Sequence, residues 1–309
     1  MNRPEFRWTR IGMLLGIFIL GTSSILSAQG NKQEHISEHT LITRDNWPIK
    51  ITYFKHEGMR DAPVVVLLHD QQGDRRVWTA GFANDLWGKG YAVVAVDLRK
   101  HGESKLETTA GAPSDVGDLK PDDYKKMVAF DMDSVKKFIF DEHTKQNLNM
   151  RKIGIIAPEM SAVIALNFAM IDWQQMPYDD APVPSMRTPR GQDVRAMVLI
   201  SPVTSVKGLT TASPIRIMRN GGLPIAYLFC VGEKDTQDNG SAEQLYKQIA
   251  GRNAANNEKV FLEKYPNNLR GMALLGKKLK LEAHIEVFLQ KNLLELTDEW
   301  VDRRSRLER

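Results

Sequence analysis

A single cysteine, Cys230, stands in a chain of 309 residues, so no internal disulfide can brace the fold. It lies in the apolar run Ile225–Val231, where burial raises a thiol pKa and makes a poor nucleophile. No large excess of either charge is present: 42 Lys and Arg against 38 Asp and Glu leave a formal charge of +4. That balance offers no electrostatic case for nucleic acid or an anionic membrane. No internal repeat is visible. The apolar run Ile11–Leu20 falls short of the ~20 residues needed to span a bilayer. It follows Arg3, Arg7 and Arg10 and precedes Thr22-Ser23-Ser24 and the small-residue site Ala28-Gln29-Gly30. This pattern reads as an export signal over residues 1–30, with an uncleaved anchor as the second reading. Its removal would lower the formal charge from +4 to +2 and leave a periplasmic or extracellular protein without a stable membrane span.

At 42% hydrophobic, the remainder can bury one large core. The expected division is a domain over residues 31–296 and a charged, solvated C-terminal tail over 297–309. Short apolar runs alternate with longer helical patterns, the signature of a mostly parallel sheet with helices on both faces. His39–Thr43 and Trp47–Lys55 read as an N-terminal antiparallel hairpin. Val64–Leu68, Ala92–Val96, Ile153–Ile156, Ala196–Ile200, Ile225–Val231 and Lys259–Tyr265 complete the strands. Val64–Leu68 and Tyr91–Val96 are apolar on both faces, as interior parallel strands should be. Helices are expected over Trp78–Trp87, Asp122–Phe140 and Ala283–Leu296, and another after a capping box at Ser241-Ala-Glu-Gln244. The proline-rich segment Asp172–Asp193 should emerge at the sheet edge opposite the strand ends that carry function. Ser104–Asp122 leaves a strand at the functional edge and is placed to drape across a pocket, while Ser201–Leu223 is short for a lid.

The most informative stretch is Ile153-Gly-Ile-Ile-Ala-Pro-Glu159-Met-Ser-Ala162. It resembles the strand–turn–helix on which α/β-hydrolases present a nucleophile, with Glu159 where the family has serine. The turn is sharp and demands small residues two before and two after its apex, and Ala157 and Ser161 meet that demand. Placing Ser161 at the apex would set Glu159 and Val163 in those positions, both too bulky. The local alternative is an exposed Glu in the first turn of a helix, where it complements the helix dipole. The wider chain favours the hydrolase turn. Val64–Asp70 resembles the strand and His-Gly turn before the oxyanion hole. Asp97-Leu-Arg-Lys-His101-Gly-Glu-Ser104 resembles the family's Asp-x-Arg-x-His-Gly-x-Ser turn. Val194–Pro202 and Leu223–Asp235 follow in the family's order.

The resemblance implies an α/β-hydrolase-like fold with the acid at Asp235, oxyanion-hole donors at Gln71 and Met160, and Arg270 where the family has its histidine. The alternative for Asp235 is an ordinary Gly-Glu-Lys-Asp turn. No His occurs between His143 and His284, so a small shift of register does not restore an imidazole. A guanidinium with a pKa above ~12 cannot act as a general base. His69 and His101 read as structural residues near the pocket, and no close-spaced ligand motif supports a metal. No cofactor is implied. The expected function is therefore a non-catalytic module that binds an unknown small molecule or protein. The alternative is an active hydrolase of carboxylic esters or related bonds with a non-standard nucleophile. Glu159, Arg270 and Asp235 are expected to form an ionic bridge, with both carboxylates titrating below their ordinary values.

Overall fold

A computed structural model describes residues 35–106, 119–219, 222–251 and 257–309. The proposed export signal and the middle of Ser104–Asp122 lie outside these residues. The described residues form one compact unit.

Ten strands are present among the described residues: β1 (Ile36–Ile42), β2 (Pro48–Phe54), β3 (Val64–Leu67), β4 (Ala92–Val96), β5 (Ile153–Pro158), β6 (Val194–Ile200), β7 (Ser205–Val206), β8 (Leu209–Thr210), β9 (Ala226–Gly232) and β10 (Val260–Tyr265). Eight of them build one sheet in the order β1-β2-β4-β3-β5-β6-β9-β10, and β7 and β8 form a separate small hairpin. The β1–β2 hairpin and the β2–β4 pairing are antiparallel, and the remaining pairings of the large sheet are parallel. The α-helices among the described residues are α1 (Arg76–Thr79), α2 (Phe82–Gly88), α3 (Pro121–Lys126), α4 (Met132–Thr144), α5 (Met160–Gln174), α6 (Ala212–Met218), α7 (Ser241–Ala250) and α8 (Leu281–Leu289). Side chains on the two faces of the sheet bury in two separate clusters. One gathers α3 to α7 and the other gathers α1, α2 and α8. This is the doubly covered, mostly parallel architecture that the apolar strand runs required.

The turn Asp97–Ser104 shows why its residue types recur at that spacing. Asp97 is buried and accepts the N–H groups of Arg75 and Glu103 together with the Arg75 guanidinium. Gly102 has φ +48° and runs so close to this carboxylate that a Cβ there would meet it at 2.1 Å. Ser104 donates to the Asp97 carbonyl and accepts the Lys50 N–H, which ties the turn to β2.

Three expectations change. The helix α7 is not opened by a Ser241 capping box: its N-cap is Gly240, and Asp238 Oδ1 accepts the Ala242 N–H instead. The asparagine-glycine turn in left-handed conformation before it moves the start by one residue. Asp122–Phe140 is helical but interrupted by a π-turn over Met127–Asp131. Most consequentially, residues 297–309 are no solvated, fraying end. Trp300 stacks on His143 and donates to its carbonyl, Asp298 pairs with Arg151 and Arg195, and Arg303 is buried against Asp193. The partners of Asp298 and Arg303 are more than a hundred residues away, so the sequence alone reads these charges as solvated.

Candidate active site

In a parallel sheet the loops after the carboxyl ends of the strands converge on one edge. Here those loops follow β3, β5, β6, β9 and β10. Glu159 stands between β5 and α5 with φ 43° and ψ −111°, a backbone conformation that a side-chain-bearing residue rarely adopts. The flanking Ala157 and Ser161 are fully buried, as the sharp turn demands. Ser161 donates its hydroxyl to the His69 carbonyl, so this hydroxyl links the helix start to the loop after β3 and does not face a substrate.

Arg270, in the loop after β10, joins the two carboxylates expected from the sequence. Its Nε donates to Glu159 Oε2 at 2.9 Å and its Nη1 donates to Asp235 Oδ2 at 2.8 Å. Asp235 is the most enclosed of the three, with a side chain 3% exposed, against 15% for Arg270 and 28% for Glu159. Its other oxygen accepts the Gln237 N–H at 2.9 Å. Glu159 Oε1 has no hydrogen bond among the described residues, so one oxygen of the carboxylate is held and the other is open. The planar guanidinium, with donors on two edges, is what allows one side chain to hold both acids.

The expected depression of both carboxylates does not hold for Glu159. Burial raises its pKa above the ordinary glutamate value, and Arg270 only partly offsets this. The nearby Asp70 and Asp235 push in the same direction as burial. For Arg270 burial acts downward, yet Glu159 and Asp235 hold the guanidinium above its usual value, so it stays charged.

Two residues that the sequence did not single out complete the site. Gly271 has φ +52°, and a Cβ built there would lie 2.2 Å from Glu159 Oε1. Its N–H donates to the buried hydroxyl of Ser201 at 2.9 Å. Ser201 follows β6 and itself adopts φ 45°. Together they press the Arg270 loop against the Glu159 turn. Nothing local in Ser201-Pro202 signals this role, because it depends on a hydroxyl and an amide separated by 70 positions.

Gln71 and Met160, the expected oxyanion-hole positions, lie on the two segments that the Ser161–His69 bond holds together. Met160 is the first residue of α5, where backbone N–H groups have no partner within the helix. His69 and His101 are both fully buried. Burial brings His69 down to about 4, and its two nitrogens are occupied by the Asp70 carbonyl and the Leu98 N–H. Burial, reinforced by His69, brings His101 to about 4 as well, with Nδ1 donating to the Arg99 carbonyl. Among the described residues no group of His, Cys, Asp and Glu is arranged to hold a metal ion. Cys230 is fully buried, which pushes its thiol up to about 12.

No protein-family model matches this chain, and no curated protein matches it by sequence. Solved structures do match in shape. Esterase 2 of Thermogutta terrifontis superposes with a TM-score of 0.59 at 17% identity, covering 86% of this chain and 97% of that one. The Pyrococcus furiosus esterase Pf2001 gives 0.56 at 15% identity over 84% of this chain and 93% of its own. A dienelactone hydrolase from Anabaena variabilis gives 0.56 at 14% identity, covering 84% and 99%. The chain therefore has the α/β-hydrolase fold. The expectation of a non-catalytic module is corrected by these neighbours, which are esterases and a hydrolase. At the site, the Glu159 side chain is 28% exposed and only its Oε2 is hydrogen-bonded among the described residues.

Proposed function

We propose that this protein hydrolyses carboxylic esters or closely related acyl compounds with water as the nucleophile and Glu159 as the general base. The observation that carries this reading is the Glu159 carboxylate. It sits on a strained turn with Oε2 tied to Arg270 and Oε1 untied, and burial has raised its basicity. By the resemblance in sequence, Glu159 and Arg270 fall where the fold's serine enzymes carry nucleophile and histidine, and the proposed chemistry needs neither. In the first step Glu159 Oε1 takes a proton from water, and the resulting hydroxide bonds to the ester carbonyl carbon. The oxyanion is met by the backbone N–H groups of Gln71 and Met160. The bond to the alcohol oxygen then breaks, and Glu159 returns its proton to that oxygen. Acid and alcohol leave, and the site is restored. Arg270 remains charged throughout and keeps the carboxylate aimed, held in turn by Asp235. A base with a pKa shifted toward the working pH serves both proton transfers better than an ordinary glutamate.

Purified protein assayed against short-chain aryl esters tests this. Turnover is expected, and Glu159→Gln should lower it by about 10²–10⁴-fold while leaving the fold intact. Thermogutta terrifontis esterase 2 has been solved phosphorylated by paraoxon. Paraoxon should leave the present protein unlabelled, because no reactive hydroxyl occupies the turn. Absence of turnover in folded protein, full activity of Glu159→Gln, or phosphorylation at Ser161 would each overturn the reading.

A further inference from the structure

Among the described residues, the strand β10 closes one end of the sheet and is paired on one side only, with β9. The carbonyls of Lys259 and Tyr265 bond to the Tyr227 and Glu233 N–H groups on the β9 side. By alternation, Lys259, Phe261, Glu263 and Tyr265 spend their backbone groups on β9. The N–H and C=O groups of Val260, Leu262 and Lys264 point away from the sheet, available to another strand.

We propose that two copies of this chain form a two-fold dimer by antiparallel pairing of β10 with β10, the axis passing at Phe261. In this register Val260 of each copy faces Leu262 of the other, and each pair exchanges two backbone hydrogen bonds. Phe261 faces its own counterpart in the close, non-hydrogen-bonded arrangement that favours aromatic contact. Lys259 faces Glu263 of the second copy, and the symmetry makes this ion pair twice. The sequence Lys259-Val-Phe-Leu-Glu263 is thus complementary to itself when reversed.

The neighbouring registers lack this property. With the axis at Leu262, Phe261 would face Glu263 and Val260 would face Lys264. With the axis at Glu263, that carboxylate would face its own copy. Both charged groups are available for re-pairing. Glu263 makes only a 3.7 Å contact with His284, and Lys259 only a 3.4 Å contact with Asn292. Lys264, by contrast, is engaged with Glu243 on the opposite face of the strand. Beside Phe261, between β10 and α8, runs a groove of about 220 Å³ floored by Leu228 and Phe288, with Val287 on its rim 67% exposed. The groove and Phe261 share the face on which Lys259 and Glu263 lie, so pairing of the edges covers apolar surface and joins charges in one step. A C2 axis requires self-complementarity of this kind.

The test is the mass of the full chain by analytical ultracentrifugation across a concentration series. A dimer is expected. Glu263→Lys and Lys259→Glu should each weaken it by about tenfold or more, since each sets like charges opposite one another twice. The double variant Lys259→Glu, Glu263→Lys restores opposite charges and should recover the parent affinity. Far-UV circular dichroism and the unfolding midpoint show whether each variant remains folded, and neither side chain is buried. A monomer at all concentrations, single variants with unchanged dimer affinity, or a double variant as weak as the singles would each overturn the proposal.

Discussion

Both edges of the sheet hold carboxylates joined by a basic side chain, and they use the same chemistry to opposite ends. At the carboxyl edge Arg270 joins Glu159 and Asp235 on strained loops, with Glu159 partly exposed and one oxygen open. At the opposite edge Lys136 joins Asp172 and Asp193, and Arg303 grips Asp193 at 2.6 Å. There Asp172 Oδ2 also accepts the N–H groups of Asp193 and Val194. Arg303 also donates from Nε and Nη2 to the Pro189 and Gly191 carbonyls. That cluster is buried and pins the proline-rich segment and the C-terminal residues to α4 and α5. An ion pair with its donors spent on structure stabilises a fold. The pair at the carboxyl edge differs in being partly exposed and carried on strained backbone, the setting in which functional sites gather.

Neutralising one group at each edge separates the two roles. Glu159→Gln should lower kcat/KM for aryl esters by about 10²–10⁴-fold, the usual contribution of a general base. Its effect on stability has the opposite character. A carboxyl whose pKa is raised on folding adds stability below its unfolded pKa and loses it as pH rises through the folded value. Chemical denaturation at pH 7 should therefore show Glu159→Gln no less stable than the parent. Arg303→Ala is the mirror experiment. It leaves Asp193 buried without its guanidinium and should cost about 3–5 kcal/mol by urea unfolding, with kcat per folded molecule unchanged. Equal stability losses at the two edges would erase the distinction.

Gly271→Ala comes next in size. The substitution asks a side chain to adopt φ +52° and drives its Cβ into Glu159 Oε1. A stability loss of about 1–3 kcal/mol is expected from the backbone strain alone. Steady-state kinetics should show the defect in kcat more than in KM, because the carboxylate is displaced rather than the substrate. A variant with parental kcat would separate Gly271 from the aim of Glu159. The smallest effect is a displacement along the pH axis. Ester turnover should rise with pH on an acid limb centred above the ordinary glutamate value, since burial holds Glu159 up. Arg270→Gln should move that limb higher still, because the guanidinium is the group acting against burial. A limb at or below the ordinary value in the parent would remove Glu159 from the base role.

Much of this protein is written in local pattern. Continuous apolar runs such as Val64–Leu67 and Ala92–Val96 demand burial on both faces and so determine a parallel sheet covered by helices. The small residues around Glu159 determine a sharp turn, because a close backbone approach can be judged from side-chain size alone. The order of the strands along the chain then brings Glu159, Asp235 and Arg270 to one edge. Other properties depend on surroundings assembled from distant segments, and these follow from the folded chain alone. The direction of the Glu159 pKa turns on how much solvent the folded chain removes, and this outweighs a neighbour's charge that the sequence makes obvious. The role of Ser201 depends on a hydrogen bond to Gly271, and the order of residues 297–309 depends on His143, Asp193 and Arg195. Charge at the end of a chain looks solvated when read in isolation. Whether it is buried depends on whether a distant partner offers enough hydrogen bonds to replace water, and Asp193 with the carbonyls of Pro189 and Gly191 does so for Arg303.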